Sequence, residues 1–254
     1  MIVAEILKDQ NVILFFLLFS RIGGVLAFFP FFNHSSIPVS IKVAFSLYLA
    51  ILLFPHAYLE VVPSHIGDLT MMVLGEFAFG LIGGLVLDMV FAALAMAGMQ
   101  IAMIMGFSMA TAVDPTTKAN TPIISKALTM LALLILLAFD GHHMILLFLS
   151  ESVGNMAMGV FVPQEFMWEY LSDGFRNMFI LGFTLSFPII AISFLADTIF
   201  GMLMKTMPQF NLLVVGFPIK IALSTAVITM VLGSMMMLFK REFIEAFNFL
   251  KTLY

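Results

Sequence analysis

The residues best placed to do chemistry in this chain are few. Asp140-Gly141-His142-His143 sets a carboxylate and two imidazoles within four positions, donor types that suit zinc. Adjacent side chains on a helix diverge by about 100°, so a helical His-His pair does not readily offer both rings to one ion. A helix cap or an interhelical hydrogen bond is the ordinary use of such a cluster, and no metal is expected there. Six ionisable residues, Arg21, Glu76, Asp88, Asp140, Asp197 and Lys220, stand within or at the edges of apolar runs. Two roles are open to them: relaying protons or ions, or pairing to fix helix against helix or subunit against subunit. Asp197 and Lys205 are two turns apart and can share one polar stripe. The chain has no HExxH, GxSxG, P-loop or strand-to-helix GxGxxG pattern, so neither catalysis nor a cofactor is expected.

The medium around these groups follows from composition. Of 254 residues, 62% are hydrophobic and 10% charged, against about 45–50% and about 25% in soluble domains. Such a chain would aggregate in water, so most of its surface must meet lipid or other apolar protein. A net charge of −4 argues against nucleic acid, and the lack of cysteine excludes disulfides and thiolate metal sites. Glu5, Lys8 and Asp9 do not make the basic leader of a cleaved signal peptide, so the first apolar run is expected to stay.

Six apolar blocks are therefore expected to be membrane helices: about 12–32, 39–62, 69–105, 123–149, 174–204 and 212–239. Each reaches the roughly 20 residues that cross a bilayer, and in lipid a helix pairs its own backbone. Alternating ten-residue strands are missing, so a barrel is not expected. Pro30, Pro38, Pro55, Pro63, Pro122, Pro163 and Pro208 mark the joints. The third block would be about 55 Å long, so tilt, a kink at Gly83-Gly84 or exit from the bilayer must absorb the excess. Residues 151–173, with Glu151, Glu165, Glu169 and Asp173, read as an acidic surface loop in which Trp168 and Tyr170 are interfacial anchors. Six spans put both termini on one side with Lys8, Lys240, Arg241 and Lys251. The opposite side has Lys42, Lys118, Lys126 and Lys205, so charge bias assigns no orientation. Residues 240–254 read as an amphipathic helix with Phe243, Phe247, Leu250 and Tyr254 on one side, suited to a membrane surface or a partner.

The longest polar interruption runs from Gly98 to Lys126. Met96, Met99 and Met103 form a helical stripe leading into it, with Met105 and Met109 following. Methionine is deformable, so the stripe could seal against shapes that change; plain apolar filling is the alternative. Gly75, Gly80, Gly83, Gly84, Gly98 and Gly106 let helices approach closely.

Four ordered stretches resemble one family. They are Ser20-Arg21-Ile22-Gly23-Gly24 on to Pro30 and Ser36-Ile37-Pro38; Gly106-Phe107-Ser108 with Asp114-Pro115 and Asn120-Thr121-Pro122; Gly141-His142; and Pro208-Gln209-Phe210-Asn211-Leu212 with Gly216-Phe217-Pro218-Ile219-Lys220. Together they resemble the FliR/SctT family, the R-type subunit of the type III protein export gate. Gly216-Phe217-Pro218 is similar to its flagellar branch. Met207 and Leu213 depart from the family's small and aromatic residues at those positions.

The resemblance implies an all-α, non-enzymatic membrane protein of about six long helices in kinked hairpins. It would sit in a helical closed-pore assembly at the flagellar basal body of the bacterial inner membrane. Implied partners are the P- and Q-type subunits (FliP, FliQ), the B-type switch protein (FlhB), the basal-body ring and the unfolded flagellar proteins exported through the centre. Residues 1–170 would resemble a P-type subunit, 171–239 a Q-type hairpin, and 240–254 an added tail. The segment of about 106–122 would be a pore plug carrying Gly106, Phe107, Ser108, Met109, Asp114, Pro115, Asn120, Thr121 and Pro122. Met96, Met99, Met103 and Met105 would belong to the seal. Pro208, Gln209, Asn211, Gly216, Phe217 and Pro218 would brace the hairpin on neighbouring subunits. Two other readings stand beside this one: a proton-coupled secondary transporter using Glu76, Asp88 and Asp197, and a membrane scaffold without pore contact.

Overall fold

The computed structural model describes residues 9–29, 37–106, 122–207 and 212–254. Within these, the chain forms seven α-helices: α1 (Asp9–Phe28), α2 (Val39–Leu53), α3 (Ile66–Ile104), α4 (Ile123–Ala138), α5 (Gly141–Asn155), α6 (Glu165–Thr206) and α7 (Phe217–Leu250). A 3-10 turn, Phe54–His56, follows α2, and a π-helical turn, Leu212–Gly216, leads into α7. The only strand-like pairing among the described residues is one bridge between Leu59 and Met158. Five helices are long and apolar enough to cross a membrane, or six if α4 and α5 count as one broken span. The molecule is thus an all-α membrane protein.

The helix boundaries follow local chemistry. Pro38 precedes α2 as its cap residue, where the missing amide costs nothing. The acidic region is mostly helix. Glu151 lies in α5, while Glu165, Glu169 and Asp173 open α6, so the loop shrinks to residues 156–164. Glu165 stands in the first turn of α6, where a carboxylate suits the positive end of the helix dipole. The third block is a single helix of 39 residues, about 58 Å long. The fourth block breaks instead: α4 and α5 bend by 66°. Asp140, between them, takes a left-handed conformation with φ 59°, tolerated by aspartate better than by most non-glycine residues.

By contacts the described chain divides into two compact units. The first takes in Met1–Met89, Leu137–Phe175 and Phe243–Tyr254. In it α1 and α3 meet backbone to backbone. A Cβ on Gly24 would stand 2.6 Å from the Phe77 carbonyl oxygen, and one on Gly84 2.8 Å from that of Val25. Leu17, Leu18, Ile22 and Val25 of α1 are wholly buried. Phe79 of α3 stacks on Phe148 of α5 at 5.7 Å and meets the edge of Phe161 at 5.1 Å. The last turns of α7 belong to this unit. Phe243, Phe247 and Leu250 are buried in the protein's own core. Their apolar side is covered by the chain itself, where the sequence suggested a membrane surface or a partner. Burial of this kind stabilises by about 1.5–3 kcal/mol per large side chain.

The second unit is Val90–Leu136 with Arg176–Glu242. Gly98 of α3 admits the backbone of Ser125 at the start of α4, and Ser125 Oγ donates to the Ala95 carbonyl at 2.8 Å. Gly182 of α6 lies against Ala93, and Phe91 meets Phe239 of α7 edge-on at 4.9 Å. The glycines of α3 thus serve both units in the same way, by removing a side chain where two helix backbones touch.

Candidate functional site

In the first unit two of the ionisable residues, Arg21 and Glu76, form a closed centre. Arg21 and Glu76 are both fully buried. Arg21 Nε donates to Glu76 Oε2 at 2.5 Å and Nη2 to Oε1 at 3.1 Å, a two-pronged pair between α1 and α3. Arg21 Nη1 donates to the Ser152 carbonyl of α5 at 2.7 Å. Glu76 Oε1 also accepts the Gly159 amide at 2.7 Å. Gly159 has φ 85°, so the turn that aims this amide favours glycine. The guanidinium lies 4.7 Å over the Phe79 ring. A buried charge pair repays its desolvation only with such geometry and extra hydrogen bonds. The centre joins three helices and a loop.

The second unit carries a polar seam. Lys220 of α7 is buried, and its Nζ donates to both carboxylate oxygens of Asp197 on α6, at 2.8 and 2.7 Å. One turn away, Ser193 and Ser224 share a hydrogen bond at 3.1 Å. Four residues back on α6 match four forward on α7, as antiparallel helices require. Ser186 donates to Gln100 Oε1 on α3. A cavity of about 410 Å³ opens beside the seam, lined by Gln100, Met103, Ile104, Ile190 and Lys220. Lys205 stands exposed near the end of α6, two turns beyond Asp197. Asp88 is half-buried on α3, in the first unit.

The approach to the polar interruption lies in the second unit. Met103 is 69% and Met99 42% exposed, whereas Met105 is wholly buried. Met96 is half-buried beside Gly182. The expected set therefore divides: Met99 and Met103 present free thioethers, and Met105 is core. Gly106 leaves the helix with φ 89°, and its amide donates to the Met103 carbonyl at 3.1 Å. A Cβ there would stand 2.8 Å from the Phe217 ring, so Phe217 packs on Gly106 within the chain. Pro122 directly precedes α4. Phe107, Ser108, Met109, Asp114, Pro115, Asn120 and Thr121 lie outside the described residues, as do Pro208, Gln209 and Asn211. Gly216 is buried and Pro218 is exposed in the first turn of α7.

Sequence reading did not find the Ser152 carbonyl, the Gly159 amide or the Ser193–Ser224 contact. The first two are backbone groups brought in from afar, which no side-chain pattern encodes. The serines did carry a signal: each stands four residues from a charged partner on its own helix.

The family described as bacterial export proteins, family 1, matches residues 12–246. The flagellar biosynthetic protein FliR of Bacillus subtilis strain 168 is 34% identical over 216 residues, covering 83% of this chain and 82% of that protein. FliR of Pectobacterium carotovorum is 28% identical over 236 residues, with 93% and 90% covered. FliR of Aquifex aeolicus is 25% identical over 249 residues, with 96% and 95% covered. The chain belongs, with these FliR proteins, to family 1 of the bacterial export proteins.

Proposed function

We propose that this protein is a non-enzymatic core subunit of the flagellar protein export gate in the bacterial inner membrane. The observation that carries the reading is family membership over nearly the whole chain, in a molecule whose long helices suit a bilayer. The transporter reading loses its footing, because Glu76 and Asp197, two of its three acids, are each bound to a cation.

Within that role, residues 106–122 act as the plug of a closed pore through which unfolded flagellar proteins pass. Met99 and Met103 line its approach as a deformable seal, flanked by Met96, while Met105 anchors that end of α3 in the core. Gly106 supports the reading, since its positive φ turns the chain sharply out of the helix at the last seal residue. Residues 1–170 act as the P-type-like part and 171–239 as the Q-type-like hairpin. The antiparallel match of Asp197–Lys220 and Ser193–Ser224 supports the hairpin. The exposed Pro218, together with Pro208, Gln209 and Asn211, meets adjoining subunits. The partners are FliP, FliQ and FlhB, the basal-body ring and the exported chains.

Deleting Thr111–Asn120 tests the plug. Cells with the shortened protein should leak ions or small solutes through the gate. An ion-tight membrane with normal export would overturn the assignment.

A further inference from the structure

We propose that Asp140, His142 and His143 form a site for a divalent transition-metal ion of the zinc class, at the elbow between α4 and α5. One donor atom from each residue lies within 4.8 Å of the other two. In a tetrahedral zinc site with bonds of about 2.0–2.1 Å, neighbouring donors stand about 3.3 Å apart. His143 Nδ1 and Asp140 Oδ1 already stand at 3.3 Å. The third donor lies within 4.8 Å and has to close by rotation of its side chain.

Helical geometry argued from the sequence against a shared ion, and two features of the structure weaken that objection. Asp140 is not helical: its left-handed backbone sets the carboxylate before the first turn of α5. The two imidazoles lean together despite their adjacent positions, with ring centroids 4.1 Å apart and planes inclined by 36°. The donors are also suited to capture an ion. The side chains of Asp140 and His143 are 72% and 68% exposed on the isolated chain, so no other part of it covers them. Among the described residues His142 Nδ1 has no hydrogen-bond partner, so no internal bond competes for that nitrogen. Three protein donors leave one position for water or for a ligand from another chain. An ion here would staple the Asp140 turn to the first turn of α5.

The test uses the full chain, purified in detergent, freed of any polyhistidine tag and stripped with a chelator. Zn²⁺ alone is titrated by calorimetry, and Co²⁺ by its visible absorption. One ion per chain is expected, with the tetrahedral cobalt bands. Asp140→Gly keeps the left-handed turn available while deleting the carboxylate, and His143→Gln changes an exposed side chain. Each should weaken binding at least about tenfold without altering the helical spectrum. His65→Gln, remote in sequence, should leave it unchanged. Absence of binding at 100 µM Zn²⁺, or affinity in Asp140→Gly and His143→Gln as tight as in the unaltered chain, would overturn the proposal.

Discussion

Arg21 and Glu76 are held by four hydrogen bonds, two to each other and one each to a distant backbone group. Removing one partner leaves a bare charge in the core, which costs about 3–5 kcal/mol. Arg21→Met or Glu76→Gln should therefore lower the melting temperature in detergent and the yield of folded protein. The double variant Arg21→Met/Glu76→Leu should recover much of the loss, because no charge is then stranded. If Glu76→Gln abolished export at unchanged stability, the acid would be a functional group and not a clasp. Tyr254 makes a weaker link: its hydroxyl donates to Glu151 Oε2 at 2.7 Å, with Phe148 alongside. Burial first, then the hydrogen bond to Glu151 and its charge, push the phenol above its usual range. A raised value means that the folded state holds the proton more tightly. Its contribution is whole below the ordinary phenol value of about 10 and fades as pH climbs toward the raised one. Tyr254→Phe should cost about 0.5–1.5 kcal/mol near neutrality. Melting curves of the two proteins should converge as pH rises above 10.

Among the elements, α1 and α3 depend on glycine only where their backbones touch. A Cβ on Gly80 would overlap the Arg21 carbonyl and stand 2.8 Å from the Val25 amide, whereas one on Gly23 meets nothing within 4 Å. Gly80→Ala should force the helices apart and destabilise by roughly 1–3 kcal/mol, as overpacking does. Gly23→Ala should be neutral or slightly stabilising, since alanine favours the helix by about 1 kcal/mol. Denaturation of the two variants side by side distinguishes contact from helix propensity; equal stability would mean that the seam can open at no cost. The same seam disrupts the Arg21–Glu76 pair when it shifts, so Gly80→Ala and Glu76→Gln should not add independently.

For the whole molecule, the useful distinction is between methionines that fill and methionines that face outward. Met103 is exposed and Met105 is buried two residues later. A photocrosslinker at Met103 should capture an exported chain stalled in the gate, and one at Met105 should not. Met71 is 72% exposed and lies in the first unit. Equal capture at Met71 would mean that exposure alone explains the reaction. Capture at neither exposed position would sink the seal.

Much of this molecule was legible from the chain alone, because one strong force wrote it. Hydrophobic runs of bilayer length permit only helices that satisfy their own backbone, so the all-α membrane class and most helix positions followed. The ordered glycines, prolines and charges carried the family. What the chain alone did not decide was pairing and direction. Arg21 finds Glu76 55 residues away, and Asp197 turns to Lys220, not to Lys205 on its own helix. Periodicity specifies which side of a helix is polar but not which helix lies against it. A helix cap was among the uses expected of the Asp140 cluster, and Asp140 is the cap position of α5, but the split of the fourth block was not foreseen: its flanks are as apolar as any span, and no proline marks it. Only the three-dimensional structure shows aspartate left-handed there, the helix pair bent by 66° and two adjacent histidine rings tilted toward each other at 4.1 Å, because a backbone conformation and an angle between helices leave no mark in hydropathy.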